Sequence, residues 1–445
     1  MAHFPKPAEG SWTEHYPGLG TGRVSYQDSI SPEFYERERE AIFGRTWLNV
    51  GRIDQLPRVG SYFTREIAAA RTSIVVVRSS TDQVRAFHNI CRHRGNKLVW
   101  QDFPREEASG TCRQFTCKYH GWRYNLEGEC TFVQQESEFF DLDKQDYGLA
   151  SVHADVWEGF IFVNLDPANT TPLREYLGKF GKGIEGYPFD KLTQVHKYRA
   201  EVGANWKLFI DAFTEFYHAP VLHAKQSVKE ESRRLSTVGY EALAYDLDGP
   251  HGMVSTWTGE TPPTDLRLYK PIEQKVQSGL FGPWYPSDIG ADELPPALNP
   301  SGHKAWGLDS FLFFPNFMVL IWKQNWVLTY HYWPTSYNTH IFEGTCYFPP
   351  PKDARERLAQ ELAVVTFKEY SLQDGNTLEA TQSMLESRTP ITTFPLNDQE
   401  ILLRHLHKTA RDYVGRYVAA TSRIGLGATY STTYYSPYHL SLIHI

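Results

Sequence analysis

Two short segments constrain this chain more than any others: Cys91-Arg92-His93 and Cys117-Lys118-Tyr119-His120. Each sets a thiol and an imidazole two or three residues apart, so each loop can offer two ligands to one centre. Scattered buried cysteines and surface histidines seldom produce two such pairs in one small region. Two thiolates and two imidazoles suit a tetrahedral zinc ion. They also suit a [2Fe–2S] cluster with two thiolates on one iron and two imidazoles on the other. The 23 residues between His93 and Cys117 include a polar run, Gln101 to Thr111, that reads as a surface loop. Cys112 falls in this gap but has no histidine three residues on; Cys112, Cys130 and Cys346 read as ordinary thiols.

The remainder is long enough for a large core. A chain of 445 residues allows two or three domains, and 41% apolar with 22% charged residues is a globular balance. Five cysteines do not make a disulfide scaffold. With 45 basic against 52 acidic residues, a nucleic-acid partner is not expected. The longest strongly apolar stretch, Phe311 to Trp322, is interrupted by Pro315 and Asn316 and is too short to span a bilayer. Met1 to Gly10 lacks a basic segment followed by an apolar core, so the expectation is a cytoplasmic protein. Residues 440–445 resemble the translated end of a sequencing-library adapter rather than part of the fold.

Residues 1–30 read as an irregular leader and 32–46 as a helix. From about 47 to 165 the signals are short strands, among them Ser73 to Arg78 and Gly159 to Val163, punctuated by Gly95, Gly110, Gly121 and Gly128. Helical patterns return at 171–182 and strongly at 204–218. Residues 326–333 alternate as a strand. A long helix is expected from Asp353 to about Leu385, with an interruption near Gly375, and a final helix over 397–420. A small all-β module followed by an α+β domain is the coarse picture.

The second chemical signal lies on the 204–218 helix and just beyond it. Trp206, Phe209, Phe213 and Phe216 recur at helical spacing, while Asp211, Glu215 and His218 fall on adjoining positions. His223 lies five residues past His218, about 140° around a regular helix, so both imidazoles could not meet one ion there. Pro220 intervenes, and a helix broken at that proline could swing His223 back. Taken alone, these are two unrelated histidines at a helix end.

The two loops with their flanks, Cys91-Arg92-His93-Arg94-Gly95 and Cys117-Lys118-Tyr119-His120-Gly121-Trp122, resemble the cluster-binding loops of Rieske proteins. They are most similar to those of the Rieske non-heme iron ring-hydroxylating oxygenases, although the gap between the loops is longer than usual there. The segment from Asn205 to His223 resembles the mononuclear iron motif of the same family. The resemblance runs from about residue 45 to about 410. It implies a Rieske [2Fe–2S] cluster on Cys91, His93, Cys117 and His120. It also implies a mononuclear Fe(II) on His218, His223 and a downstream carboxylate. Asp374 is the candidate, followed as in the family by an acid and a glutamine at Glu379 and Gln382; Glu379 is the fallback. Glu215 occupies the position of a bridging carboxylate, Asp in many members, which would join His120 of one chain to His218 of another. Asp211 stands where members often carry Asn near the iron, and is either a proton donor or a local helix feature.

The implied fold is α+β: a small all-β Rieske domain, then a helix-grip (START-like) catalytic domain with a large antiparallel sheet. The expected division is 1–45 as leader and helix packed on the catalytic domain, 46–165 as the Rieske domain and 166–439 as the catalytic domain. The implied protein is the terminal oxygenase α subunit of a homotrimer, with or without a β subunit. It would take electrons from NAD(P)H through a separate reductase, with or without a ferredoxin, and hydroxylate a small molecule with O₂. Aromatic cis-dihydroxylation is the main expectation; monooxygenation or oxidative demethylation of a non-aromatic or N-methyl substrate is the alternative. A Rieske electron carrier or a zinc-stabilised binding protein are the readings from other classes. Aromatic residues make up 14% of the chain. Phe209, Phe213, Tyr217, Phe313, Phe317, Trp333 and above all Tyr370 are candidates to line an apolar pocket.

Overall fold

The computed structural model describes residues 11–225, 242–257, 262–263, 265–279, 281–290, 293–304, 306–387 and 389–423. Residues 440–445 lie outside them. The N-terminal module is built from β1 (Trp47–Arg52), β2 (Ser61–Ile67), β3 (Thr72–Ser80), β4 (Gln83–His88), β5 (Ser109–Thr111), β6 (Phe115–Thr116), β7 (Arg123–Tyr124), β8 (Cys130–Phe132), β9 (Ser151–Trp157) and β10 (Phe160–Asn164). Seven of these form one antiparallel sheet in the order β1-β10-β9-β4-β3-β2-β5, and β6-β7-β8 form a second. Side-chain alternation along β3 divides its work. Val75 and Val77 pack with Cys91, Cys117 and Trp122, whereas Ile74 and Val76 join the core shared with the following domain. The polar run after His93 is exposed over residues 101–107, as a loop must be.

The second domain holds a seven-stranded antiparallel sheet. Its strands are β11 (Gln194–Val202), β12 (Ala242–Asp248), β13 (His251–Trp257), β14 (Trp306–Phe313), β15 (Phe317–Trp322), β16 (Trp326–Ser336) and β17 (Thr339–Phe348), in the order β11-β17-β16-β15-β14-β13-β12. The apolar stretch from Phe311 to Trp322 is the β14–β15 hairpin. Phe317, Val319 and Ile321 enter one core, and Met318, Leu320 and Trp322 enter the other. A strand buried on both faces needs apolar residues at every position.

Helices cover this sheet, among them α1 (Pro32–Glu38), α2 (Leu173–Gly183), α3 (Trp206–Thr214), α4 (Ala219–Leu222), α5 (Ala354–Leu385) and α6 (Ile401–Arg423). The leader is fastened to the catalytic domain. Val24–Ser25 pairs with Thr393–Phe394, and the ammonium of Lys207 on α3 meets Glu38 of α1 at 2.6 Å with both side chains fully buried. The two domains share core residues and polar ties: Asn49 Oδ1 lies 2.9 Å from His331 Nε2, and Arg65 of β2 pairs with Glu343 of β17.

Three element boundaries differ from the sequence expectation. The α1 segment passes into a π-helical turn over Arg39–Phe43. The α5 helix is continuous through Gly375, which sits against the Phe209 ring; packing outweighs the cost of about 1 kcal/mol for a helical glycine. The α3 helix stops at Thr214 rather than running to 218, and Glu215 is extended.

Candidate metal centres

The two cysteine loops have the same backbone turn. Cys91 N–H donates to Asn96 O at 2.8 Å and Gly95 N–H to Cys91 O at 3.1 Å. Cys117 N–H donates to Trp122 O at 2.9 Å and Gly121 N–H to Cys117 O at 3.0 Å. Gly95 and Gly121 both have φ of +70°, which favours glycine at the same step of each loop. The turns bring the imidazoles of His93 and His120 to 4.6 Å between centroids, and His93 stacks on Trp122. Nδ1 of both histidines is buried without a hydrogen-bond partner. A buried nitrogen left bare is costly, and a metal bond would satisfy it. Cys91 Sγ lies 3.4 Å from the Tyr124 hydroxyl, and burial pushes its thiol up. Nearby iron charge would hold it as thiolate. All four side chains therefore suit a cluster with two thiolates and two imidazoles.

The second centre is built by α4 and α5. Glu215 ends the α3 helix because its carboxylate takes the backbone N–H of His218 at 3.1 Å. Pro220 then sits in the first turn of α4, where its missing N–H costs nothing, so it begins a short helix rather than breaking a long one. His218 and His223 flank that helix, and their Nε2 atoms lie 3.2 Å apart. Asp374 Oδ1, from α5, lies 3.7 Å from His218 Nε2 and 3.4 Å from His223 Nε2. Octahedral metal–ligand bonds of about 2.1 Å at right angles separate neighbouring donors by about 3 Å, so these spacings fit one ion. Among the described residues this is the group of three ligands that closes around a point.

Hydrogen bonds assign the tautomers. Glu215 Oε1 lies 2.6 Å from His218 Nδ1, and Gln373 Oε1 lies 2.7 Å from His223 Nδ1. Each acceptor calls for a proton on Nδ1, which leaves lone pairs on both Nε2 atoms. Those lone pairs face each other and a buried, unpartnered Asp374 oxygen. With both rings neutral the arrangement is repulsive, and a proton or a metal ion between the three groups relieves it. For His218, burial disfavours the charged ring, but the Glu215 hydrogen bond and the charges of Glu215 and Asp374 outweigh it and raise its pKa.

An aromatic-walled cavity opens on this cluster. Phe213, Phe216, Trp257, Phe281, Trp322, Tyr330, Phe367 and Tyr370 line it, with His218, His223 and Asp374 at one end. Phe213 and Tyr370 thus stand where expected. Phe209 does not: it is fully buried in the core between Phe213, Tyr332, His340 and Phe342. Tyr217 also does not, because the break at Glu215 turns it outward to 59% exposure. Phe313 and Phe317 face the opposite core, and Trp333 stacks on His331 under Arg65 at the domain junction. Glu379 accepts from Gly203 N–H at 2.8 Å and Gln382 from Asn205 N–H at 2.9 Å, so both brace the entry to α3. Asp211 bonds to His407 rather than to the ligand cluster. Gln373 and His407 were not singled out from sequence. Only the adjacency of Gln373 to Asp374 hinted at a role; nothing local marks His407.

Comparison with known proteins agrees with this geometry. Residues 46–150 match the family model of the Rieske [2Fe-2S] domain, and residues 189–416 match that of the ring hydroxylating alpha subunit (catalytic domain). Choline monooxygenase, chloroplastic, from Beta vulgaris is 32% identical over 197 residues, 43% of this chain and 42% of that protein. Biphenyl 2,3-dioxygenase subunit alpha from Rhodococcus jostii (strain RHA1) is 32% identical over 208 residues, 45% of this chain and 43% of that protein. Each match thus spans less than half of the relative's length. A solved quaternary ammonium Rieske monooxygenase shares the fold with a TM-score of 0.68 at 18% identity, covering 92% of this chain and 100% of that one. Among the described residues, no helix is long and apolar enough to cross a membrane. The chain belongs to the family of ring-hydroxylating oxygenase alpha subunits, with a Rieske [2Fe–2S] domain preceding a catalytic domain of the kind that binds mononuclear iron.

Proposed function

We propose that this chain is the terminal oxygenase of a Rieske system that monooxygenates a small quaternary ammonium compound, using O₂ and electrons passed from NAD(P)H by a separate reductase. The observation that carries this reading is the convergence of His218, His223 and Asp374 at one end of an aromatic-walled cavity. In it, Cys91, His93, Cys117 and His120 hold the cluster, and the three convergent residues hold iron. When bound, the cluster supplies single electrons and the iron supplies an open-sided site for O₂. The protein's own part is positional. Glu215 and Gln373 fix the two imidazoles, and the aromatic walls exclude water. Aromatic rings in that wall, Trp257 and Tyr330 among them, suit a quaternary ammonium group, whose charge is drawn to aromatic rings and needs no hydrogen bond. The choline monooxygenase relative favours this substrate class over the aromatic dihydroxylation expected from sequence.

The reading includes a trimer. Glu215 is itself buried, but Tyr217 and Val221 close to it in the chain are 59% and 75% exposed. Tyr119, beside His120, is 55% exposed. Meeting of these two edges across subunits would set Glu215 between one chain's His218 and the next chain's His120.

The second reading is dihydroxylation of an aromatic ring. The same apolar walls and the biphenyl dioxygenase relative favour it. Reduced, iron-loaded protein exposed to ¹⁸O₂ with choline or with biphenyl separates the two. An oxidised choline product formed with O₂ uptake supports the first reading, and two labelled hydroxyls in a biphenyl product support the second. A Rieske signal in electron paramagnetic resonance without an iron–nitrosyl signal on adding nitric oxide would instead mark an electron carrier.

A further inference from the structure

Three buried groups link two cavities behind the candidate iron site. Asp28 lies in the leader before α1, His407 on α6 and Asp211 on α3. His407 Nδ1 lies 3.3 Å from both carboxylate oxygens of Asp28, and its Nε2 lies 3.0 Å from Asp211 Oδ2. At one end Asp28 lines a surface cleft with Arg37, Arg404 and Arg411, and Arg411 Nη1 donates to it at 2.9 Å. At the other end Asp211 lines a second cavity together with Glu215, His218 and Asp374. Asp211 Oδ1 is buried there without a hydrogen-bond partner.

We propose that Asp28, His407 and Asp211 form a proton path from the arginine-lined cleft to the cavity behind the iron site, with His407 as its proton store. The proposal rests on the oxygenase reading. Monooxygenation of a C–H bond consumes one O₂, two electrons and two protons, and yields one hydroxyl and one water. An iron–sulfur cluster delivers electrons without protons, so the protons need their own route.

The transfers make and break only O–H and N–H bonds. A proton on Asp211 leaves for the cavity. The Nε2 proton of the His407 imidazolium moves to the Asp211 carboxylate. The neutral ring then turns about Cβ–Cγ and takes a proton from Asp28, which is reloaded by water in the cleft. Electrostatics supports the store. Burial disfavours a charged His407, but the charges of Asp211 and Asp28 and their hydrogen bonds outweigh it and lift the ring to about 9. Burial pushes Asp211 upward, and His407 opposes that. The other groups facing this set are Lys207 on α3, Arg411 on α6, Glu38 on α1, Tyr26 in the leader and Glu400 before α6. Lys207 is engaged by Glu38 and by Asp28 O, and Tyr26 stacks edge-on at 4.7 Å from the His407 ring.

A purely structural clasp would hold the leader in place and move no protons. The test therefore reads protons. In ¹⁵N-histidine-labelled full-length protein, NMR should show both ring nitrogens of His407 protonated at pH 7.5. A neutral ring there overturns the store. In single turnovers of reduced, iron-loaded protein, His407→Gln should slow product formation at least tenfold at pH 8, with recovery towards pH 6 and a changed solvent deuterium isotope effect. Its iron content and nitrosyl signal should match wild type. Wild-type rate and isotope effect in that variant overturn the path. If His407→Gln does not fold, Asp28→Asn replaces it with the same expected loss and the same overturning result. Wild-type protein that makes no product while His407 holds its proton refutes the oxygenase reading and leaves the store supported.

Discussion

Glu215 Oε1 stands 2.6 Å from Nδ1 of His218, and this contact decides which face of the imidazole is free for a metal. A carboxylate on one nitrogen holds the tautomer and makes the other nitrogen a better ligand. Glu215→Ala removes that acceptor and also the brace on the His218 backbone N–H. Fe(II) affinity is expected to fall about 10- to 100-fold, the usual cost of losing such a partner. Anaerobic Fe(II) titration of the cluster-loaded protein measures it. Glu215→Gln keeps an acceptor oxygen and should lose less. Equal affinity in the Ala variant and wild type would remove Glu215 from this role.

Asp374 separates the two metal sites experimentally. Its Oδ1 is buried, bare of hydrogen bonds and between two lone-pair-bearing nitrogens. Asp374→Ala should abolish mononuclear iron and leave the Rieske absorption spectrum unchanged, because the cluster ligands lie in a separate core. In wild type, iron at one hundred times its dissociation constant should stabilise the catalytic domain by about 2.7 kcal/mol, and the variant should gain nothing. Thermal melts with and without Fe(II), alongside iron analysis, check both statements.

What was legible from sequence was mostly local. The cluster loops could be read because Cys and His spacing is carried within five residues, and the same turn holds both loops. The α3 stop could not. The apolar period continues through Phe213 and Phe216, and only the capture of the His218 N–H by Glu215 turns the chain. Pro220 was correctly seen as significant, but as a break rather than as a helix start. Cavity lining was poorly legible because helical period cannot show which face meets a neighbour. Phe209 and Phe213 are four residues apart, yet one fills the core and the other reaches the cavity. Gln373 and His407 meet partners 150 and 196 residues away, a separation that local spacing does not reveal.

The aromatic wall separates the two substrate readings by chemistry. Trp257 lines the cavity from the end of β13, only partly buried, so it can be changed without emptying a core. Trp257→Leu keeps an apolar surface and removes the ring face. A cation–π contact of about 0.5 to 2 kcal/mol would be lost, raising KM for a quaternary ammonium substrate about 2- to 30-fold. An uncharged isostere of that substrate, with carbon in place of nitrogen, should lose much less. Steady-state kinetics on the matched pair gives the answer. Equal losses for both would show that the wall acts by shape, which favours a neutral ring substrate.

The junction between the domains should fail at low pH. Arg65 of β2 takes Glu343 of β17 with its two terminal guanidinium nitrogens, while Trp333 Nε1 donates to Glu343 Oε2 at 3.2 Å. Burial alone would raise Glu343, but the Arg65 charge and hydrogen bonds prevail and lower it from its ordinary 4.5 to about 2. A carboxylate whose pKa is depressed on folding contributes stability that is present above its unfolded value and is lost as pH falls towards the folded one. The loss therefore falls between about pH 4.5 and 2. A shift from 4.5 to about 2 caps the contribution on the order of 3 kcal/mol. Glu343→Gln should flatten this acid limb. At pH 7 it should lower stability by up to about that amount, since Glu107 is then the one carboxylate still paired with Arg65. Denaturant unfolding from pH 7 to pH 3, followed by tryptophan fluorescence, measures both. An acid limb equally steep in variant and wild type would place the pH sensitivity elsewhere.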